Sequence, residues 1–220
     1  MPTSTGSVKP TSTNGKKARP PATDLRPYYT SQEAAFVNAE DVGGGRYDES
    51  VAVATHVMQY NNGNVVLLSS YSDISEFSTR LSRFNGTDRY ALVLWALGPG
   101  MDYDQSVVAG LNREYIQAAG RPDALTVEIC KAGGSQWGVQ WVRYVIGHPH
   151  EGDAPRDAPI VLPHSTEMRS KYEVFDADEA AQLFFTYYKT GDIPASYTLR
   201  PEQGFTRDGG NIDLRDHARS

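Results

Sequence analysis

Apolar residues recur at helical spacing between Asp176 and Thr190, and this stretch gives the clearest structural prediction in the chain. The apolar positions share one helical face, at i, i+3, i+4, i+7 and i+8, and are Ala180, Leu183, Phe184, Tyr187 and Tyr188. Asp176 is followed three residues later by Glu179, a pattern typical of a capping box, so the helix is predicted to begin there. Gly191 and Pro194 predict its end near Thr190, with an extended segment over residues 195–199.

Between residues 51 and 97 the apolar period changes from strand to helix and back to strand. Residues 51–60 and 64–69 favour β structure and flank Asn61-Asn62-Gly63, which predicts a hairpin. Asp73 and Glu76 then repeat the pattern of a helix start. The helical stripe that follows consists of Ile74, Phe77, Leu81 and Phe84. Residues 90–97 are apolar on both faces, as expected of an interior strand.

A second hairpin is predicted from residues 125–130 and 136–146, which flank a glycine-rich turn. Alternation along its second strand places five side chains on one face, namely Trp137, Val139, Trp141, Arg143 and Val145. Two tryptophans there indicate either core or, beside Arg143, a recognition surface, because aromatic residues and arginine are enriched at binding hot spots. Residues 105–119 fit either a helix or a short strand.

Clustered strands without regular helical crossovers predict an α+β fold, with a mainly antiparallel sheet and two or three helices packed on one face. Residues 28–205 are predicted to form this single domain, including a short helix over residues 32–39. Residues 1–27 contain too few apolar side chains to offset the entropy that folding would cost. We therefore predict that they form a disordered basic arm. Residues 206–220 predict a flexible tail, although ordering of its Ile212 and Leu214 stays open.

Charge divides unevenly between the arm and the rest of the chain. Residues 1–27 hold five basic residues and one acidic residue, whereas the remaining residues hold 16 basic and 26 acidic ones. A nucleic-acid-binding domain normally carries a basic patch, so the acidic domain argues against that function. The same charge is also ordinary for solubility, but it favours a basic protein partner, whose association would be steered electrostatically.

The cysteine content and the hydropathy of the chain indicate the cellular compartment in which we expect the protein. Cys130 is the only cysteine, so no intrachain disulfide can form, and its place in a strand predicts a buried, unreactive thiol. The N-terminal residues lack the apolar stretch of a secretory signal, and no window reaches the ~20 apolar residues of a membrane span. We therefore expect a cytoplasmic protein that does not enter a membrane.

The loop from His148 to Asp157 contains the side chains best suited to catalysis or metal binding. Its imidazole and carboxylate groups, which zinc or manganese accept as ligands, belong to His148, His150, Glu151, Asp153 and Asp157. Histidines two apart around a proline do not converge as an i, i+4 pair on a helix does. The prediction is therefore a solvated polar turn, with no metal and no cofactor. Asp102 and Asp104 fit helix capping or solvent exposure, and the sequence contains no serine-nucleophile elbow.

The end of the late helix also resembles a known protein family. Residues 187–194 read Tyr-Tyr-x-Thr-Gly-x-x-Pro and are preceded by the proline-rich piece PIVLP at residues 159–163. This combination resembles the first-catalogued immunity-protein family of bacterial polymorphic toxin systems. The order of helices and strands is similar over residues 65–201, whereas individual residues can be matched only over residues 159–201. It also favours a strand and then a turn over residues 105–119.

The resemblance implies a binding protein without catalytic activity, because members of that family neutralise a secreted toxin, often a nucleic-acid deaminase, encoded beside them. Occlusion of a basic toxin cleft by the acidic loop is the implied mechanism. The predicted partner contacts are Trp137, Trp141, Glu151, Asp153 and Asp157. Two alternatives stay open, a small metal-assisted hydrolase that uses residues 148–157 and an acidic adaptor or secretion chaperone.

Overall fold

A computed structural model describes residues 53–216 of the 220-residue chain. The predicted basic arm over residues 1–27 and the predicted helix over residues 32–39 lie outside the described residues. So do the last four residues of the predicted tail.

Ten strands occur among the described residues. They are β1 (Ala54–Tyr60), β2 (Val65–Ser69), β3 (Ala91–Ala96), β4 (Tyr115–Arg121), β5 (Ala124–Ala132), β6 (Trp141–Gly147), β7 (Arg156–Leu162), β8 (Ser165–Ser170), β9 (Thr198–Phe205) and β10 (Asn211–Asp213). Eight of them form one antiparallel sheet in the order β10-β9-β6-β5-β4-β3-β1-β2. The other two, β7 and β8, pair as a separate antiparallel ribbon.

Three α-helices accompany the strands in residues 53–216. They are α1 (Ser75–Leu81), α2 (Tyr103–Val108) and α3 (Ala177–Thr190). The α+β prediction with a mainly antiparallel sheet is therefore confirmed. None of the helices within this range is both long enough and apolar enough to cross a membrane.

The main core lies between one face of the sheet and the helices α1 and α3. Side chains alternate along each strand, so Ile116, Val127 and Ile129 point to this face and are fully buried. Phe77 of α1 and Phe184 of α3 meet them, with ring centroids 6.0 Å apart. Burial of a large side chain contributes roughly 1.5–3 kcal/mol, so this layer is the principal source of stability.

The opposite face of the sheet carries a smaller apolar cluster and a set of buried charges. The apolar cluster comprises Val57, Trp95, Tyr115, Cys130 and Phe205. Tyr103 and Val107 of α2 pack on it from outside. The β7–β8 ribbon lies near the same sheet, with Ile160 of β7 packed against Ala119 of β4.

Both predicted ends of α3 are confirmed. The Asp176 side chain accepts a hydrogen bond from the backbone N–H of Glu179 at 2.8 Å. Gly191 adopts a left-handed conformation with φ 74°, which is why a residue without a Cβ ends the helix here. The extended segment predicted over residues 195–199 is wrong in its bounds, because residues 195–197 form a turn and the strand β9 begins at Thr198.

The strand followed by a turn that the resemblance favours over residues 105–119 is wrong in its order. Residues 103–108 form the helix α2, which was the alternative, and the strand comes last. Asp102 accepts from the backbone N–H of Gln105, and the Gln105 side chain accepts from the N–H of Asp102. This reciprocal capping box stabilises a helix that the paired valines disfavour. Val107 packs inward, whereas Val108 is 88% exposed. The strand β4 begins only at Tyr115.

Within the described part of the predicted flexible tail, the structure shows the alternative that the sequence left open, which is ordering of Ile212 and Leu214 against the domain. Residues 211–213 pair with β9, and Leu214 is fully buried against Val139 and Val142. The Leu214 N–H donates to the carbonyl oxygen of Glu202 at 3.0 Å. The burial of Leu214 and the short β9–β10 ladder thus order a segment that contains few apolar residues.

Candidate functional site

The acidic loop, defined here as residues 148–155, is held firmly at its first residue. The backbone N–H of His148 donates to the carbonyl oxygen of Tyr172 at 2.7 Å. The ring nitrogen Nδ1 lies 2.8 Å from that carbonyl oxygen, and Nε2 lies 2.8 Å from Oε1 of Glu179. The imidazole also stacks on Phe175, with centroids 4.8 Å apart. His148 therefore joins the loop to the first turn of α3.

The far end of the acidic loop enters β7, where Arg156 pairs with Ser170 of β8. Between the two anchors, His150 stacks on Tyr172 with centroids 4.7 Å apart, and Gly152 turns the chain with φ 74°. Glu151 and Asp153 lie exposed at the tip. The two carboxylates are thus presented on a loop with a fixed base.

Additional exposed carboxylates lie on the element that holds this loop. Asp176 and Asp178 occupy the start of α3, next to the Glu179 that binds His148. Asp157 lies just beyond the loop, at the irregular register position of β7, and is also exposed. Sequence reasoning treated Asp176 only as a helix cap. Its position beside the loop depends on the contact between His148 and Glu179, residues 31 apart in sequence.

The two predicted tryptophan contacts do not share a strand face. Trp137 lies in a 3-10 turn, Ser135–Trp137, and β6 begins only at Trp141. Trp137 packs beside Val139 and Val142, whereas Trp141 packs on the cluster of the opposite face, with the Arg113 guanidinium 4.8 Å from its ring. Both are half-buried. The structure therefore leaves Glu151 and Asp153 exposed on one loop and places the two tryptophans in separate clusters.

A buried charge cluster, which the sequence analysis did not predict, links the β7–β8 ribbon to the sheet. Its members are Glu128, Arg143, Glu167, Arg169, Glu173, Arg200 and Glu202. Arg169 of β8 is central, since its Nη2 lies 2.7 Å from Oε1 of Glu128 and its Nη1 lies 3.2 Å from Oε1 of Glu202. It also contacts Glu167 and donates from Nε to Thr126 at 3.0 Å.

Electrostatics within the buried charge cluster favour its charged state at most positions. Burial opposes the charge of Arg169, yet Glu128, Glu167 and Glu202 hold its pKa above the ordinary value. Burial would raise the pKa of Glu202, but Arg169 and Arg200 lower it overall. The pKa of Glu167 is raised, mainly by burial. These groups are satisfied by one another, so the cluster serves to fasten β8 to the sheet.

Arg143 is the least satisfied member of the buried charge cluster. It is 2% exposed, and its Nε lies 3.4 Å from Oε2 of Glu128. Neither Nε nor Nη1 has a hydrogen-bond partner among the described residues. Glu128 itself accepts from Nε2 of Gln117 at 2.6 Å. The sequence does contain a signal for this position. Arg143 is a charged residue within the otherwise mostly apolar strand WVRYVIG, and strand alternation places its side chain inward.

Two further groups were candidates for chemistry. The predicted burial of Cys130 is confirmed, and burial raises the pKa of its thiol to about 12. His148 already engages both ring nitrogens, and His150 lies flat on Tyr172. Within residues 53–216, no group of three or more His, Cys, Asp or Glu side chains is arranged to hold a metal ion.

Comparisons with known proteins returned no match, whether against protein-family models, curated proteins or solved structures.

Proposed function

We propose that this chain is an immunity protein, a cytoplasmic inhibitor that binds a cognate toxin and blocks its basic substrate cleft without catalysis. The observation that carries the proposal is the anchored acidic loop. Glu151 and Asp153 project from a base fixed by His148, so little conformational entropy is lost when the loop enters a cleft. Their carboxylates would take the positions of substrate phosphates, as expected for a toxin that acts on nucleic acid.

The surroundings of the acidic loop strengthen its electrostatic complementarity to a basic partner. Asp176 and Asp178 at the start of α3, and Asp157 on β7, extend the same negative charge beyond the loop. Complementary charge of this kind mainly accelerates association and selects the partner. Trp137 and Trp141 are half-buried in separate clusters and are secondary contacts at most in this arrangement.

The resemblance to the immunity-protein family rests on residues whose structural roles are now clear. Tyr187 and Tyr188 are both 5% exposed within the helix core, and Gly191 ends α3. Thr190 Oγ1 donates to the carbonyl oxygen of Thr186 at 2.8 Å and accepts from the N–H of Asp192 at 3.2 Å. The motif residues therefore serve to bury and to end α3, and the acidic loop supports the proposal through partner chemistry.

The proposal is tested by titrating this chain into an activity assay of the purified toxin domain encoded beside its gene. We expect activity to fall in proportion to added chain and to vanish at molar equivalence. The association rate should decrease as salt is added, because screening weakens long-range attraction. Undiminished toxin activity in excess chain would contradict the proposal. Binding that leaves the toxin active would instead identify an adaptor.

A further inference from the structure

One edge of the eight-stranded sheet is open for pairing with another strand. The strand order places β2 at the end of the sheet, and no strand within residues 53–216 pairs with its outer side. The N–H of Tyr60 donates to the carbonyl oxygen of Asn64, which sets the hydrogen-bonded pairs of the β1–β2 ladder. Because such pairs alternate, the peptide groups of Val65 and Leu67 point away from β1.

The open edge lacks the features that normally prevent strands from pairing between molecules. Residues 60–72, which contain β2 and both flanking turns, include no charged residue and no proline, although 22% of the chain is charged. Native sheets usually protect an edge with charges, proline or a very short strand. Val65 is 41% exposed and Leu67 is 53% exposed. No strand within residues 53–216 therefore covers this aliphatic, uncharged strand edge.

The other edge of the same sheet is protected. Its outermost strand, β10, has three residues, all exposed. Arg215 Nε lies 2.9 Å from Oδ1 and 3.0 Å from Oδ2 of Asp213, which places a charged pair at this edge. The β2 edge of this sheet is not covered by any strand within residues 53–216, and the β10 edge is protected. Two copies can therefore join and then stop, since closed two-fold pairing occupies the β2 edge of both copies.

We propose that β2 pairs antiparallel with β2 of a second copy, about a two-fold axis beside Leu67. Leu67 would lie opposite Leu67 of the second copy and exchange both backbone hydrogen bonds with it. The dimer would contain one continuous sheet with eight strands from each copy. This inference is independent of the proposed function.

Charge favours a second copy as the occupant of this edge. The chain outside residues 1–27 is acidic, so contacts between copies at most surfaces place like charges together. At β2 this repulsion is absent. The acidic loop follows β6, five positions from β2 in the strand order, or about 24 Å at the usual strand spacing. The two acidic loops of the dimer therefore stay far from the axis and face outward.

Sedimentation velocity of the full-length chain tests the dimer. We expect a mass twice the 24.2 kDa of one chain for the wild type and a single-chain mass for Leu67→Lys. Val161→Lys is the matched control, because Val161 is 55% exposed on the separate β7–β8 ribbon, and this variant should stay dimeric. A monomeric wild type, a dimeric Leu67→Lys, or dissociation of both variants would overturn the proposal.

A cysteine variant tests the register and does not depend on disrupting the edge. Cβ atoms of directly opposed, hydrogen-bonded residues lie about 5.5 Å apart, which is too far for a direct disulfide but within reach of a short bifunctional thiol reagent. Leu67→Cys should therefore form a covalent dimer with a short bismaleimide cross-linker, and Val161→Cys should not. Cys130 is buried and does not compete. Failure of Leu67→Cys to cross-link, or equal cross-linking of Val161→Cys, would overturn the proposed register and the pairing with it.

Discussion

Arg169→Met is expected to lower the free energy of unfolding by about 3–5 kcal/mol, because it leaves buried carboxylates without their cation. Arg169 is 3% exposed and contacts Glu128, Glu167 and Glu202. Methionine keeps much of the side-chain volume, so the loss comes from charge and hydrogen bonding. Chemical denaturation monitored by circular dichroism measures the effect.

Lys131→Met is the matched control for this experiment. Lys131 and Asp192 form an ion pair at 2.6 Å, but their side chains are 34% and 50% exposed. Exposed pairs of this kind contribute about 0–1 kcal/mol, so the variant should unfold close to the wild type. If Arg169→Met and Lys131→Met lose equal stability, the buried charge cluster does not fasten the ribbon as described.

The source of the loss can be separated further with a triple variant. Adding Glu167→Gln and Glu202→Gln to Arg169→Met removes two of the carboxylates that the single variant leaves uncompensated. Buried ion pairs replaced as a whole are often neutral in stability, whereas pairs broken on one side are strongly destabilised. The triple variant should therefore regain part of the lost stability. Additive losses would show that packing, not charge, dominates at Arg169.

Charge reversal at the tip of the acidic loop is expected to have the largest effect on function. Glu151→Lys combined with Asp153→Lys should weaken binding to the cognate toxin roughly 100-fold, because two attractive contacts with a basic cleft become repulsive. Most of the loss should fall on the association rate at low salt. Both residues are exposed, so folding should be unaffected. Surface plasmon resonance over a range of salt concentrations resolves both rates.

The matched control makes the same change in net charge at the other end of the sheet. The acidic loop follows the end of β6, whereas Glu114 lies just before β4 begins and Asp104 lies on α2. Asp104 and Glu114 are both exposed, and Asp104→Lys with Glu114→Lys should change affinity only slightly. Equal losses in both double variants would mean that overall charge, and not the loop, governs binding.

Local signals account for the parts of the fold that the sequence predicts. α3 was predictable at both ends, because Asp176 caps a segment that begins one residue later and Gly191 directly follows its last turn. The first hairpin was predictable because Gly63, with φ 85°, lies between two β-rich runs. In each case the determining residues are close neighbours in sequence.

Positions fixed by competing local chemistry were predicted less well. Gly134 and Gly138, with φ 91° and 71°, bracket the 3-10 turn that removes Trp137 from the strand. Strand alternation alone does not reveal that interruption. In α2, the capping contact of Asp102 with Gln105 outweighs the β preference of two adjacent valines.

The candidate site depends on contacts that no local pattern specifies. His148 meets Glu179 at a separation of 31 residues, and Arg169 meets Glu128 at a separation of 41. Glu151 and Asp153 were predicted as part of a solvated polar turn, and the resemblance implied that they contact a partner. The fixed base of their loop, however, requires the distant contact of His148 with Glu179. The sequence therefore predicts which charges the site presents, and the tertiary fold determines how rigidly they are held.

The central claim is the proposal that this chain protects cells by binding a toxin, which the resemblance predicts to be encoded beside its gene. Growth of bacteria that express that predicted toxin domain tests the proposal most directly. Co-expression of the wild-type chain should restore normal growth to cells that the toxin domain alone kills. Cells that die equally with and without the chain, although both proteins are produced, would contradict the account.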